Sequence, residues 1–259
     1  MKHFLKPIAA VVLALFVLAG CGGASQPSAS DTPTLDRIKK EGKLVIGTSP
    51  DYPPFETLDE NNNVVGFDID VMQKVAERLG VELEIVQMDF NSLIEALKAG
   101  KFDIMAAGVT ITDERKEVVD FSDPYIGGTD AVVARKDKNL SLSSLEDLKG
   151  MTVAVQAGTI HADILDELGG VNVKKYNLFT EAAAAVSAGQ ADAVFLHTVV
   201  AKAFIEQDPN LEIVLETPTK ETAYALRKDT PDLTQFVNQV LADLKASGEL
   251  EQLMLKWFK

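Results

Sequence analysis

Cysteine occurs once among the 259 residues of this chain, at Cys21. One thiol near the N-terminus excludes a disulfide framework, a thiolate metal site and a cysteine nucleophile elsewhere. Histidine is nearly as scarce, at His3, His161 and His197. With no acid beside the latter two at metal-ligand spacing, a zinc site is not expected, and no cofactor is implied. The chain has no Gly-x-Ser-x-Gly elbow and no Gly-x4-Gly-Lys phosphate loop, so neither a serine-hydrolase nor a nucleotide-hydrolysing reading has a foothold. Long apolar runs are missing after residue 20, so nothing further should cross a membrane. Basic charge is in deficit: 25 Lys and Arg stand against 39 Asp and Glu, a net charge of −14. Lys2 and Lys6 are the only Lys, Arg, Asp or Glu among the first twenty residues, so the remainder is more acidic still. Such a chain is repelled by phosphate backbones, and nucleic acid is not an expected partner.

The N-terminus carries the address. Lys2 and Lys6 precede an apolar run from Ile8 to Ala19, followed by Leu18-Ala19-Gly20-Cys21. A basic start, a short apolar stretch and small residues at its end form a signal peptide over residues 1–20, too short to span a bilayer permanently. Leu-Ala-Gly-Cys also resembles a bacterial lipobox, which implies lipid on Cys21 and a membrane-anchored mature chain. Residues 21–34 are rich in Gly, Ser, Ala and Pro and are expected to be a flexible tether. The roughly 225 residues that follow suffice for two lobes of roughly a hundred each.

Beyond the tether, short apolar runs alternate with helical periodicity. Lys43 to Gly47, Val81 to Val86 and Asp103 to Ala106 predict strands, with helices between them over Asp68 to Leu79, capped by Asp68, and Phe90 to Ala99. Ser144 to Leu148 predicts a capped turn, and from Met151 the rhythm restarts. Thr152 to Val155, Val171 to Lys175, Ala193 to Leu196 and Glu212 to Leu215 predict strands; Ile160 to Leu168, Glu181 to Ala188 and Val199 to Glu206 predict helices. A late strand over Thr222 to Arg227 and helices over Asp232 to Ala246 and Gly248 to Phe258 could return to the first lobe. In α/β lobes the ligand sits at the carboxyl ends of the strands. Thr48 to Phe55, Gly108 to Arg115, Gln156 to Ile160 and His197 all fall at such ends.

The segment Gly108-Val109-Thr110-Ile111-Thr112-Asp113-Glu114-Arg115 has the makings of a carboxylate trap. Backbone amides after Gly108, the Thr110 hydroxyl and the Arg115 guanidinium could converge on one carboxylate, since Arg offers a planar fork matching two oxygens. The same residues also fit a short solvated helix with Thr112 as N-cap and acids in its first turn.

Taken in order, several runs resemble the polar amino-acid solute-binding proteins of ABC importers, of the type II periplasmic-binding-protein fold. They are Val45-Ile46-Gly47-Thr48 with Tyr52-Pro53-Pro54-Phe55, Gly66-Phe67-Asp68-Ile69-Asp70, the Thr110 to Arg115 and Asp120 to Tyr125 runs, Leu148-Lys149-Gly150, Val153 to Thr159, Gln190-Ala191-Asp192-Ala193 and Lys256-Trp257-Phe258. The resemblance implies an α/β fold of two lobes, each a mixed sheet flanked by helices, joined by a two-strand hinge and closing on the ligand. The expected division is 35–131 for the first part of lobe one, 132–221 for lobe two and 222–259 for the return.

Carried over residue by residue, the resemblance implies that Arg115 grips a ligand α-carboxylate, helped by Thr110 and the Gly108 amide, with Thr159 adding contacts from lobe two. Tyr52 and Phe90 would sandwich the ligand side chain, and Ser49 would read its head group; Tyr52 and Phe90 also fit ordinary packing. Asp51 and Glu56 are expected to be solvated loop acids and His161 a surface residue. Two positions depart from the family. His197 stands where an Asp or Glu usually pairs with the ligand ammonium, and Ile160 stands where a second Thr is common. Losing an anionic partner for a buried ammonium costs on the order of 2–5 kcal/mol. Three explanations remain open: a ligand without the ammonium, another acid that holds it, or a receptor with weakened binding. In the first case His197 would make affinity vary across roughly pH 6 to 7; an imidazole turned to solvent is the alternative. The implied partners are an amino acid or related small carboxylate, a permease, and the membrane through Cys21, with the protein a monomer outside a cell that is expected to be Gram-positive. The rival from another class is a cleft-derived enzyme of the cyclohexadienyl dehydratase type.

Overall fold

The structure is a computed structural model that describes residues 32–258. The signal peptide, Cys21 and most of the tether lie outside the described residues. In chain order the elements are α1 (Pro33–Glu41), β1 (Lys43–Thr48), β2 (Thr57–Leu58), β3 (Val64–Val65), α2 (Phe67–Leu79), β4 (Glu82–Gln87), α3 (Phe90–Lys98), β5 (Ile104–Met105), α4 (Asp113–Val118), β6 (Asp120–Phe121) and β7 (Thr129–Arg135). There follow β8 (Thr152–Gln156), α5 (Ile160–Leu168), β9 (Asn172–Tyr176), α6 (Phe179–Ser187), β10 (Ala193–His197), α7 (Thr198–Gln207), β11 (Leu211–Pro218), β12 (Ala225–Leu226), α8 (Pro231–Ser247) and α9 (Glu249–Trp257).

Two five-stranded mixed sheets organise these elements, in the orders β4-β1-β5-β12-β6 and β11-β7-β10-β8-β9. In the first, β1 runs parallel to β4 and β5 while β12 is antiparallel to β5 and β6. In the second, β8 is parallel to β9 and β10, and β7 is antiparallel to both β10 and β11. The chain passes between sheets at 126–129 and again at 218–222, and the two passages pair: Thr222 N–H donates to Ile126 O at 2.8 Å and Tyr125 N–H to Thr222 O at 3.1 Å. This is the two-strand hinge of a two-lobed periplasmic-binding-protein fold. The second sheet begins at Thr129 and ends at Pro218.

Helix α2 illustrates how local sequence positions the site. Phe67, Val71, Met72, Val75, Ala76 and Leu79 recur at helical spacing and are all buried, each large side chain contributing about 1.5–3 kcal/mol. Gly80, with φ 73, ends the helix in the left-handed conformation glycine tolerates. The expected cap at Asp68 is not made: Gly66 is the N-cap, and a Cβ there would lie 2.1 Å from Phe55 O. Asp68 instead turns inward, accepting from Gly108 N–H at 2.9 Å and the Tyr224 hydroxyl at 3.2 Å.

The last two helices are tied by hydrogen bonds to α1 and α2. Asp70 on α2 accepts from the Trp257 indole and the Lys256 ammonium, both at 2.7 Å. Asp232 on α8 accepts from the backbone of Thr34 and Leu35 at 2.8 and 3.0 Å. Those bonds correct the end of the tether, since Pro33 and Thr34 already belong to α1 and Thr34 is buried. Sequence periodicity also passed over β7, whose apolar run is only four residues, Ala131 to Ala134, between Asp130 and Arg135; neighbouring strands on both sides bury it.

Candidate functional site

Loops from both sheets converge on a cleft of about 330 Å³, counting its mouth, lined by Tyr52, Phe90, Gly108, Thr110 and Arg115 from one lobe and Gln156, Thr159, Ile160, His161 and His197 from the other. Eight of the nine expected ligand residues are among them. Ser49 is not: it is buried behind the cleft, where its hydroxyl donates to Asp51 Oδ1 at 2.8 Å. Gln156 and His161 were not singled out from sequence. Gln156 was signalled only by its place at the end of a strand, and nothing in the pattern marked His161.

Arg115 lies in a capped helix and also lines the cleft. Thr112 caps α4, its hydroxyl accepting from Arg115 N–H at 3.1 Å, while the Arg115 side chain turns into the cleft and is buried. One end of the guanidinium donates to Thr110 O at 2.7 Å and the other to Gly158 O at 3.0 Å, and the group lies 5.8 Å from the Phe90 ring centroid. Among the described residues no carboxylate lies within ion-pair distance of it. Burial lowers its pKa, yet guanidinium stays charged, so the cleft holds a desolvated cation with donors to spare.

The Gly108 amide expected to help Arg115 is committed to Asp68, so Gly108 offers the cleft only its backbone surface. The Thr159 hydroxyl is committed as well: it donates to Gln156 O at 2.8 Å and caps α5 by accepting from Ala162 N–H. What α5 turns toward the cleft is its N-terminus, where unpaired amides favour an anion. Tyr52 spans the gap, its hydroxyl accepting from His197 N–H at 3.1 Å and its ring meeting Phe179 edge-on at 5.2 Å.

Three expectations of exposure are corrected. Asp51 is buried, accepting from Ser49, from Gln156 Nε2 at 3.2 Å and from the Phe179 backbone; desolvation raises its pKa despite those donors. Glu56 is fully buried, its carboxyl has no hydrogen-bond partner among the described residues, and burial pushes its pKa well up, with Asp68 and Asp51 adding to the shift. His161 is 5% exposed, with Nε2 3.0 Å from Asp130 Oδ1. In each case tertiary packing encloses a polar loop or helix end that the local pattern marks as surface.

His197 is not turned to solvent; it is 4% exposed. Its Nδ1 accepts from Val199 N–H at 3.4 Å as the cap of α7, which assigns the proton of the neutral ring to Nε2. Among the described residues the buried Nε2 has no hydrogen-bond partner, so the His197 ring, which lines the cleft, carries a donor where an acid would carry an acceptor. Burial lowers its pKa to about 4, outweighing the attraction of Asp130. The titration expected near pH 6 to 7 therefore moves well below neutrality.

The family model of bacterial extracellular solute-binding proteins, family 3, matches residues 44–259. The arginine-binding extracellular protein ArtP of Bacillus subtilis (strain 168) is 37% identical over 265 residues, covering 100% of this chain and 98% of that one. The arginine-bound form of a truncated ArgBP from T. maritima is 44% identical with a TM-score of 0.79, over 81% of this chain and 99% of that one. The ancestral amino acid-binding protein AncCDT-1, a precursor of cyclohexadienyl dehydratase, is 39% identical with a TM-score of 0.82, over 87% and 100% of the two chains. A family match over most of the length, on a two-lobed fold with its cleft at the strand ends, makes this chain a member of the bacterial extracellular solute-binding proteins, family 3.

Proposed function

We propose that this protein captures an amino acid between its lobes for an ABC importer, with L-arginine the first ligand to test. The observation that carries the reading is Arg115, a buried guanidinium facing an interlobe cleft with no carboxylate to pair with among the described residues. A ligand carboxylate supplies the missing charge, and the N-terminus of α5 receives it from the opposite lobe. Phe90 and Tyr52 offer flat apolar faces to the ligand side chain. The arginine ligand is suggested by ArtP and by the ArgBP structure.

Because His197 is a neutral donor, the ligand ammonium is compensated at one remove, by Asp130 behind His161. Lipid on Cys21 holds the protein beside its permease on the outer face of a Gram-positive membrane, where it acts as a monomer. The lobes, 35–131 with 222–259 against 132–221, move as units about the hinge. Among the described residues that line the cleft none is Asp or Glu, which favours capture without turnover.

Titration calorimetry with L-arginine, L-glutamine and L-cystine tests the reading, with Arg115→Ala as control. Micromolar binding of one amino acid that weakens at least 100-fold in Arg115→Ala supports it; removing one partner of a buried charge pair costs about 3–5 kcal/mol. Undiminished binding by the variant refutes the trap.

A further inference from the structure

Asp51 connects the lobes without touching the cleft. It follows β1 in the first lobe, where Ser49 gives it a local hydrogen bond, and its remaining partners come from the second lobe. Gln156 Nε2, at the end of β8, donates to Oδ2 at 3.2 Å. The Phe179 backbone N–H, the first residue of α6, donates to the same oxygen. A carboxylate at the N-terminus of a nine-residue helix meets an unpaired amide and the favourable end of the helix dipole. All three residues are buried, Asp51 at 7%, Gln156 at 4% and Phe179 at 1% exposure, so these bonds form in a water-excluded seam.

Among the described residues, hydrogen bonds from His197 N–H to the Tyr52 hydroxyl and from Arg115 to Gly158 O also cross the gap. Both use a cleft-lining residue of the first lobe, Tyr52 or Arg115, whereas Asp51 lies off the cleft. We propose that Asp51 is the closure latch of this receptor, a positioning residue that holds the second lobe down through the α6 N-terminus and so sets how long a ligand is retained. Separating the lobes breaks both cross-gap bonds to Asp51 while leaving its bond to Ser49 in place. The Asp51 carboxylate is thus a cross-gap contact that itself lies off the cleft, although its partner Gln156 lines it. The effect on ligand retention rests on the capture function proposed above; the effect on closure itself does not.

Amide hydrogen exchange on the full chain without added ligand, comparing wild type with Asp51→Ala and Asp51→Asn, tests the latch directly. The expected result is exchange about tenfold faster at Phe179 and also at His197, whose amide bonds to Tyr52 and makes no contact with Asp51. Asp51→Asn keeps an acceptor oxygen without the charge and should fall between the other two proteins. A response confined to Phe179, or none at all, overturns the proposal. So does a general rise that includes the β1 amides, which would make Asp51 a folding residue. In stopped-flow experiments with L-arginine, Asp51→Ala should raise the dissociation rate about tenfold and change the association rate less than twofold; an unchanged dissociation rate also counts against the latch. Failure of wild type to bind L-arginine would sink the arginine assignment, with the exchange pattern still deciding the latch.

Discussion

Replacing His197 by asparagine isolates one buried titration and tests whether the ring is as dehydrated as the packing requires. The folded-state pKa is about 4 against an ordinary 6.5, with burial the main cause, Asp130 raising it and His161 lowering it. At about 1.4 kcal/mol per unit, this linkage is worth about 3 kcal/mol. Its sign follows from which state binds the proton more readily. The unfolded ring is protonated near pH 6.5 and the folded ring only near pH 4, so the stability of neutral burial is whole above pH 6.5 and lost as pH falls through 4. Asp68 works in the opposite direction. Its pKa is raised to about 6, mainly by burial, from an ordinary 3.8, so its contribution is whole below pH 3.8 and lost as pH rises through 6. Between pH 4 and 6.5 the two nearly offset in wild type, which should hide both. Asparagine keeps an oxygen to cap α7 and removes the ring. Urea denaturation at pH 7 and pH 4, followed through Trp257 fluorescence, should therefore show the variant gaining about 3 kcal/mol relative to wild type on acidification. Two pH profiles parallel within about 1 kcal/mol would refute the reasoning and place the His197 ring in contact with water.

Asp130→Asn should weaken binding of an α-amino acid at least tenfold while leaving its ammonium-free analogue within threefold, as read by calorimetry on both ligands; equal losses would mean that Asp130 acts through folding. Gly158→Ala introduces a Cβ 2.8 Å from Asn91 Cα at a φ of +77, so the loop should be pushed off α3 and affinity should drop roughly tenfold, about 1–2 kcal/mol. Unchanged affinity would show that closure does not need that approach. Asp70→Ala removes the acceptor shared by Trp257 and Lys256, and a loss of about 1–3 kcal/mol in urea denaturation is expected, with none in ligand affinity.

Much of the architecture could be read from local pattern because each lobe repeats strands and amphipathic helices whose apolar spacing is a property of neighbouring residues. Helix α5 runs over Ile160–Leu168, the residues its periodicity predicts. The carboxyl-end loops that carry Tyr52, Arg115, Thr159 and His197 follow from the same alternation. Short segments were harder. The hairpin β2–β3 and strand β6 hold two residues in each strand, too few for a period to declare itself.

What the linear chain determined, then, is which residues stand at the strand ends: a potential carboxylate trap at Thr110 to Arg115 and a histidine where an acid would be expected. Folding decided how those groups are used. Asp68 takes the Gly108 amide from forty residues away, the second lobe encloses Asp51, and Asp130 reaches His161 across the strand order of the second sheet. Hydrogen-bond partners and desolvation depend on which surfaces meet in space, and a pattern of nearest neighbours along the chain carries no record of that meeting.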